Sequence, residues 1–241
     1  MMGDAKLTAA NRADDGKRFL RIPGPLLVVS FCLVLSGPLA ATTQTFGVGD
    51  GRAALAARSQ AEWVSRAQAL ERRGDWQGLL AWGQDWARVD AKNPLAWFVQ
   101  GSALGELGRL PEAIAAYRQN VRVAPGDVLA RNNLGNALRD SGRPREAMQA
   151  YRGAVEINPD YIQGWHNLGL TFYQVRGQAG VMQALQKLQA TDPALAEVWR
   201  KLAIDYSITR DERVAREAVR VLRGLSDAER TRMFDILFAD S

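Results

Sequence analysis

The chain reads as an all-α solenoid of stacked helix pairs, and three observations carry that reading. Pro125, Pro159 and Pro193 stand 34 residues apart. Two sets of glycines keep the same step, Gly101, Gly135 and Gly169 in one slot and Gly74, Gly108 and Gly142 in another. Aromatic residues repeat in register as well: Trp63 with Trp97, Trp165 with Trp199, and Tyr117 with Tyr151, while Arg131 occupies the slot between the two tryptophan pairs. So many registers at one period, within the range of roughly 20 to 50 residues, mark a repeat architecture.

The elements follow in chain order. Residues 1–24 form a basic N-terminal segment, with Lys17, Arg18 and Arg21 ahead of an uncharged run over 25–41, PLLVVSFCLVLSGPLAA. Seventeen residues are at the lower limit for crossing a hydrocarbon core of about 30 Å. A basic flank, an apolar core and small residues make the pattern of a signal anchor, with a cleaved secretory signal as the alternative. Phe31 ahead of Cys32 does not suit lipidation there. The basic flank is expected to stay cytoplasmic, which puts the repeats in the periplasm of a bacterial-type inner membrane, or in free periplasmic form after cleavage. A polar, glycine-containing linker follows over 42–59.

Each 34-residue period is expected to hold two helices. Between Leu129 and Asp140, Leu134, Gly135 and Leu138 recur at helical spacing. Gly142 can take the left-handed conformation that ends such a helix. Pro144 fits the first turn of the next helix, whose apolar stripe is Ala147, Tyr151 and Ala154 before Pro159 stops it. One pair cannot bury both faces, so several must stack.

The pattern of Trp, Leu-Gly, Ala, Tyr and Pro, seen in WHNLGLTFY (165–173) and PEAIAAYRQNVRVAP (111–125), resembles the tetratricopeptide repeat. The resemblance covers about 60–224 and implies a right-handed superhelix of four to five repeats, at 60–93, 94–127, 128–161 and 162–195 with a partial fifth at 196–224. The first departs from it, since Leu79 and Gly83 replace a small and an aromatic residue, and the fourth carries Val181 in an alanine slot.

Residues 225–241 are expected to form a helix, started by a Ser226/Glu229 capping box, whose stripe of Met233, Phe234, Leu237 and Phe238 covers the end of the stack. Trp76, Trp82 and Trp86 read as the core of an end repeat in preference to a lipid-facing patch. Arg213, Arg216, Arg220 and Arg223 read as a solvated face.

Composition excludes more chemistry than it offers. The net charge of +5 comes from 31 basic and 26 acidic residues spread along the chain, with no concentrated basic face for nucleic acid. One histidine, His166, and one cysteine, Cys32, leave no Cys-His pair in the repeats and no multi-histidine metal site. Carboxylates such as Glu106 and Glu112 have ordinary surface explanations. The chain is therefore read as a non-enzyme without cofactor or metal.

The resemblance implies a concave groove, lined by the first helix of each pair, that holds a protein or peptide segment. Its expected lining is Phe98 and Ser102, then Asn132, Asn133, Asn136 and Arg139, then His166, Asn167, Leu170 and Tyr173, and last Arg200. Asparagine amides both donate and accept, which suits a peptide backbone. Asn133 and Asn167 share a slot, similar to the asparagine ladder of O-linked N-acetylglucosamine transferases, although packing between pairs is an equal use for them. The Lys/Asn/Lys/Arg set that clamps acidic tails is incomplete. The resulting expectation is a membrane-tethered scaffold for envelope assembly, with two alternatives, a substrate-recognition subunit of a transferase complex and a structural homo-oligomer. Partner, pathway and oligomeric state are not legible.

Overall fold

A computed structural model describes residues 58–205, 209 and 211–238. The apolar run at 25–41 lies outside the described residues, and among those described no helix is long and apolar enough to cross a membrane. Among the described residues ten α-helices follow one another, and the first nine pack each on its neighbours in sequence, while the tenth packs on the seventh. Three regular pairs come first: α1 (Gln60–Arg72) with α2 (Trp76–Val89), α3 (Pro94–Glu106) with α4 (Leu110–Val123), and α5 (Val128–Asp140) with α6 (Pro144–Ile157). Then come α7 (Ile162–Thr191), α8 (Pro193–Trp199) running into a π-helical turn at Arg200–Asp205, α9 (Glu212–Gly224) and α10 (Asp227–Phe238).

Local chemistry explains these boundaries. Asp75, Asn93, Asp127, Asp192 and Asp211 accept from backbone N–H groups in the first turns of α2, α3, α5, α8 and α9. The second helices α4 and α6 have no such cap. Each has proline in its first turn, where no N–H is needed, and a guanidinium fork onto the carboxylate three residues on, Arg109 to Glu112 and Arg143 to Glu146. Gly74, Gly108 and Gly142 turn each pair with φ of 67°, 72° and 77°, a region that costs a residue with a Cβ about 1–2 kcal/mol.

The fourth pair is built differently. Its turn shrinks to one residue, Gly177 (φ 63°, ψ −177°), so its two helices run together as α7. That conformation is essentially open to glycine alone, and it sits one residue past the slot marked by the earlier glycines.

The tryptophan slot shows how one position can serve with two residue types. The Trp97 indole N–H donates to Ala91 O (2.8 Å) and that of Trp165 to Pro159 O (2.9 Å), in each case six residues back across the inter-pair turn. In the pair between them Arg131 donates to Pro125 O (3.0 Å and 3.2 Å). The guanidinium thus takes over the indole's hydrogen bond to the same turn. Trp199 keeps the slot without the bond, because Pro193 already lies within α8; its indole nitrogen is buried with no partner among the described residues.

In the first pair Trp63 and Trp86 are buried and stacked (5.5 Å), and Trp82 packs on Trp63 (4.3 Å) beneath the Arg58 guanidinium. This aromatic core stands where later pairs use a tyrosine. The missing aromatic at Gly83 leaves room for Gln100, whose amide donates to Gly83 O (3.0 Å) and Ala96 O (3.2 Å).

The capping box of α10 forms, with Glu229 N–H on Ser226 Oγ and Ser226 N–H on the Glu229 carboxylate. Met233, Phe234 and Leu237 are buried. They do not lie on the outer face of α9, where Arg213, Arg216, Arg220 and Val221 are exposed. Phe234 instead stacks on Trp165 of the fourth pair (5.6 Å, 9°), with Arg152 of the third over its ring (4.9 Å), and Arg223 pairs with Asp160 in the turn before α7. A flat indole and a cation offer this helix more than the arginine-lined face of α9.

The tightest fit inside a pair lies at the glycine slot. A Cβ at Gly135 would fall 2.4 Å from Tyr151 Cε1, and one at Gly101 would fall 2.7 Å from Tyr117 Cε1. Gly105, also in α3, has open space there. Gly135→Ala is expected to destabilise by about 1–3 kcal/mol through overpacking, whereas Gly105→Ala is neutral or stabilises by up to about 1 kcal/mol through helix propensity. Urea unfolding of the two variants measures the contrast.

Candidate functional site

The first helices α3 and α5 and the first half of α7 carry the residues predicted to line a groove, and the second helices position them. Tyr151 of α6 lies fully buried on Gly135 and reaches across the pair, where its hydroxyl donates to Asn136 Oδ1 (2.8 Å). Asn167 Nδ2, from the next pair, donates to Asn132 Oδ1 (2.8 Å) and sits 3.4 Å from Asn136 Oδ1. Gln163 Nε2 donates to Asn167 Oδ1 (3.1 Å), and Thr171 Oγ1 to Asn167 O (2.7 Å). Six polar side chains thus form one network, in which Asn167 crosses from the fourth pair to Asn132 and Asn136 of the third.

The predicted lining therefore divides. Asn132, Asn133, His166 and Asn167 are all buried, at 5%, 4%, 2% and 6% exposure. This corrects their assignment as open groove surface. The Asn132 and Asn167 amides satisfy each other across the boundary, and Asn133 Nδ2 is buried without a partner among the described residues. Phe98, Ser102, Asn136, Arg139 and Leu170 are half-buried, and Tyr173 is exposed at 55%. Phe98 meets Tyr117 edge-on (6.5 Å). Arg139 is held by Asp140 (3.0 Å). Arg200 is engaged by Glu197 (2.7 Å) and Asp205 (2.5 Å) at the π turn, which makes it a local brace.

Three groups escaped the sequence reading. Tyr117 and Tyr151 share a slot that spacing marks for packing, and the Tyr151 hydroxyl also reaches Asn136 on the first helix; burial raises the pKa of both well above that of a free phenol. Gln163 was not singled out. Glu71, near the end of α1, has its pKa raised by burial, against the lowering effect of Arg72, and further raised by Glu106 of α3. Among the described residues no group of histidine, cysteine and carboxylate side chains could hold a metal ion.

Residues 98–162, which span both glycine–tyrosine pairs, match the family model described as tetratricopeptide repeat. Over that stretch the chain matches the tetratricopeptide repeat, and the stacked helix pairs form a solenoid of that kind. The chain is also similar to solved structures, three of which are these. One is MamA, residues 41 to end, from Desulfovibrio magneticus RS-1, with 20% identity, covering 75% of this chain and 96% of that one at a TM-score of 0.47. Another is YrrB, described as a TPR protein with an unusual peptide-binding site, with 17% identity, 67% and 85% coverage and a TM-score of 0.45. The third is a mutant O-GlcNAc transferase from Thermobaculum terrenum, with 23% identity, 61% coverage of this chain and a TM-score of 0.47; the match spans 28% of that enzyme's length. No curated protein matches the chain.

If the asparagine cluster joins the repeats, its loss registers as stability. Asn167→Ala strands the buried Asn132 acceptor and is expected to cost about 1–3 kcal/mol, and Tyr151→Phe about 1 kcal/mol. Asn120 is the contrast. It is buried at 1% with both amide atoms unpartnered among the described residues, in the slot that holds Ala154 one repeat later. Asn120→Ala is expected to be neutral or stabilising. Denaturant unfolding of the three variants would count against this account if Asn120→Ala proved the most damaging.

Proposed function

We propose that this chain is a membrane-tethered, non-enzymatic scaffold that binds an extended protein segment along Ser102, Asn136, Arg139, Leu170 and Tyr173. The observation that carries the reading is the fixed orientation of the Asn136 amide. Its oxygen accepts from Tyr151 and lies within reach of Asn167. Its NH2 group donates to no described residue, while the side chain is half-exposed. A donor held in this way can meet a backbone carbonyl without first losing conformational freedom, and such preorganisation favours binding. Leu170 and Tyr173 offer apolar and aromatic contact on the next pair. The apolar run at 25–41, read as an anchor, would hold the groove at the outer face of an inner membrane and raise its effective concentration towards other membrane proteins. Assembly of an envelope complex is the role this placement suits.

The test is photocrosslinking of the full chain in its native host. The probe p-azidophenylalanine, close in shape to tyrosine, replaces Tyr173, and a control probe replaces Arg118 on α4. A discrete protein adduct is expected from Tyr173 and not from Arg118. Equal capture at both positions, or none at Tyr173, would refute the groove.

A further inference from the structure

We infer that the arginine face of α9 is a docking surface for the anionic headgroups of a phospholipid bilayer. It is separate from the groove, and it rests on the reading above only in taking a membrane to be within reach of the chain.

Arg213, Arg216, Arg220 and Arg223 follow one another at steps of three and four. At 3.6 residues per turn they fall within roughly 80° of the helix circumference and along about 15 Å of its length. The helix forms as that spacing requires, with Asp211 accepting from the Arg213 backbone N–H at its start. Ala218, Val219 and Leu222 lie on the opposite side and are buried, where α9 packs on α8 and the π-helical turn. This packing fixes which side faces outward, and all four arginines are exposed on it.

The carboxylates around this face do not neutralise it. On α6, Arg152 meets Glu156 one turn on. On α9 the carboxylate one turn after Arg213 is Glu217, and it turns to Lys201 of the π-helical turn (2.8 Å). Asp211 holds Arg213 (3.0 Å) and Asp160 holds Arg223, yet these two side chains stay 85% and 65% exposed. Ion pairs so open to water are weak and exchange readily for a phosphate. Asp227 and Glu229 of α10 are used within that helix's own start, by Arg230 and Ser226.

Shape selects the ligand. A straight row of guanidinium groups on the outer side of a helix matches a plane of headgroups, and each planar fork can bind two phosphate oxygens. Val221, 45% exposed, lies beside the row, where an apolar side chain can enter the boundary between headgroups and acyl chains. The helix that follows, α10, sets Phe234 on Trp165 and Arg152 instead, and the arginine face is left uncovered.

The test reconstitutes the full chain into vesicles with brominated acyl chains, made of phosphatidylcholine alone or with about a third phosphatidylglycerol. The fluorescent residue acridonylalanine replaces Val221, and in a control chain it replaces Arg118 on α4. The Val221 probe is expected to be quenched about threefold more in the anionic vesicles than in phosphatidylcholine alone, and the control probe equally in both. Raising salt removes the difference. R213Q/R216Q/R220Q removes it too, whereas R213K/R216K/R220K keeps most of it. The three side chains are exposed, so both variants are expected to keep the wild-type thermal midpoint, which separates lost docking from lost structure. Equal quenching in the two kinds of vesicle, or in the glutamine variant and wild type, overturns the inference. So does a response of the probe to soluble polyglutamate and not to anionic vesicles, which would assign the face to an acidic protein. Flotation with plain phosphatidylcholine vesicles reads the tether by itself. A chain that floats there and shows no phosphatidylglycerol-dependent quenching keeps the tether and loses this surface. A chain that floats only with anionic vesicles, and no longer does so as the glutamine variant, loses the tether and keeps the surface.

Discussion

A tyrosine ring lying on a glycine sets the spacing of the helix pairs at the centre of the molecule. Gly101 and Gly135 have no Cβ, so Tyr117 and Tyr151 rest against the backbone of the partner helix, closer than any alanine would permit. Close approach does two things at once. It buries a large ring in each pair, worth about 1.5–3 kcal/mol for a side chain of this kind, and in the third pair it carries the phenol oxygen to Asn136 on the first helix. Packing and polar presentation are therefore one interaction. In the first pair the arrangement is absent, since the slots hold Ala67 and Gly83, and the space is filled by stacked tryptophans and the Gln100 amide.

The two tyrosines then diverge through their neighbours. Asn136 accepts from Tyr151 and so becomes an oriented amide tied into the next repeat through Asn167. Ser102 leaves the Tyr117 hydroxyl unengaged. One scaffold position thus yields a cross-repeat brace in one case and a free polar tip in the next, and the difference lies in a single residue on the facing helix. Variation of this kind, with the frame kept and the groove altered, is why the fold alone says little about function.

How much of this was legible depended on whether a residue had one physical use or two. Glycines in positive-φ turns and prolines at first turns have essentially one use, and the helix pairs follow from them. Arg131 looked like a break in the tryptophan register, yet a long side chain with N–H donors makes the same bond to the turn carbonyl. Asparagine has two uses. Asn132 and Asn167 were read as groove residues when their amides face each other, because spacing along one helix does not reveal the tilt of the next. Glu106 and Glu112 looked alike in sequence. Arg109 stands three residues before Glu112 and pairs with it, while Glu106 has no cation in its own helix turn. The apolar stripe of α10 was plain, but its docking on Trp165 and Arg152 depended on a fold-back that periodicity does not encode.

Unpaired polar groups are where stability and binding part company. A structure selected for stability alone would replace Asn120 with the alanine of the next repeat and turn the Asn136 amide fully inward. Buried polar atoms without partners cost about 1–3 kcal/mol each, and carboxylates at helix C-termini add to that. Among the described residues Asn120 meets this cost inside the core, remote from any groove position, and its presence has no functional reading. Asn136, half-buried on a first helix, keeps its NH2 group without a described acceptor. A half-exposed donor of this kind is satisfied by solvent at little cost, whereas the buried Asn120 amide is not.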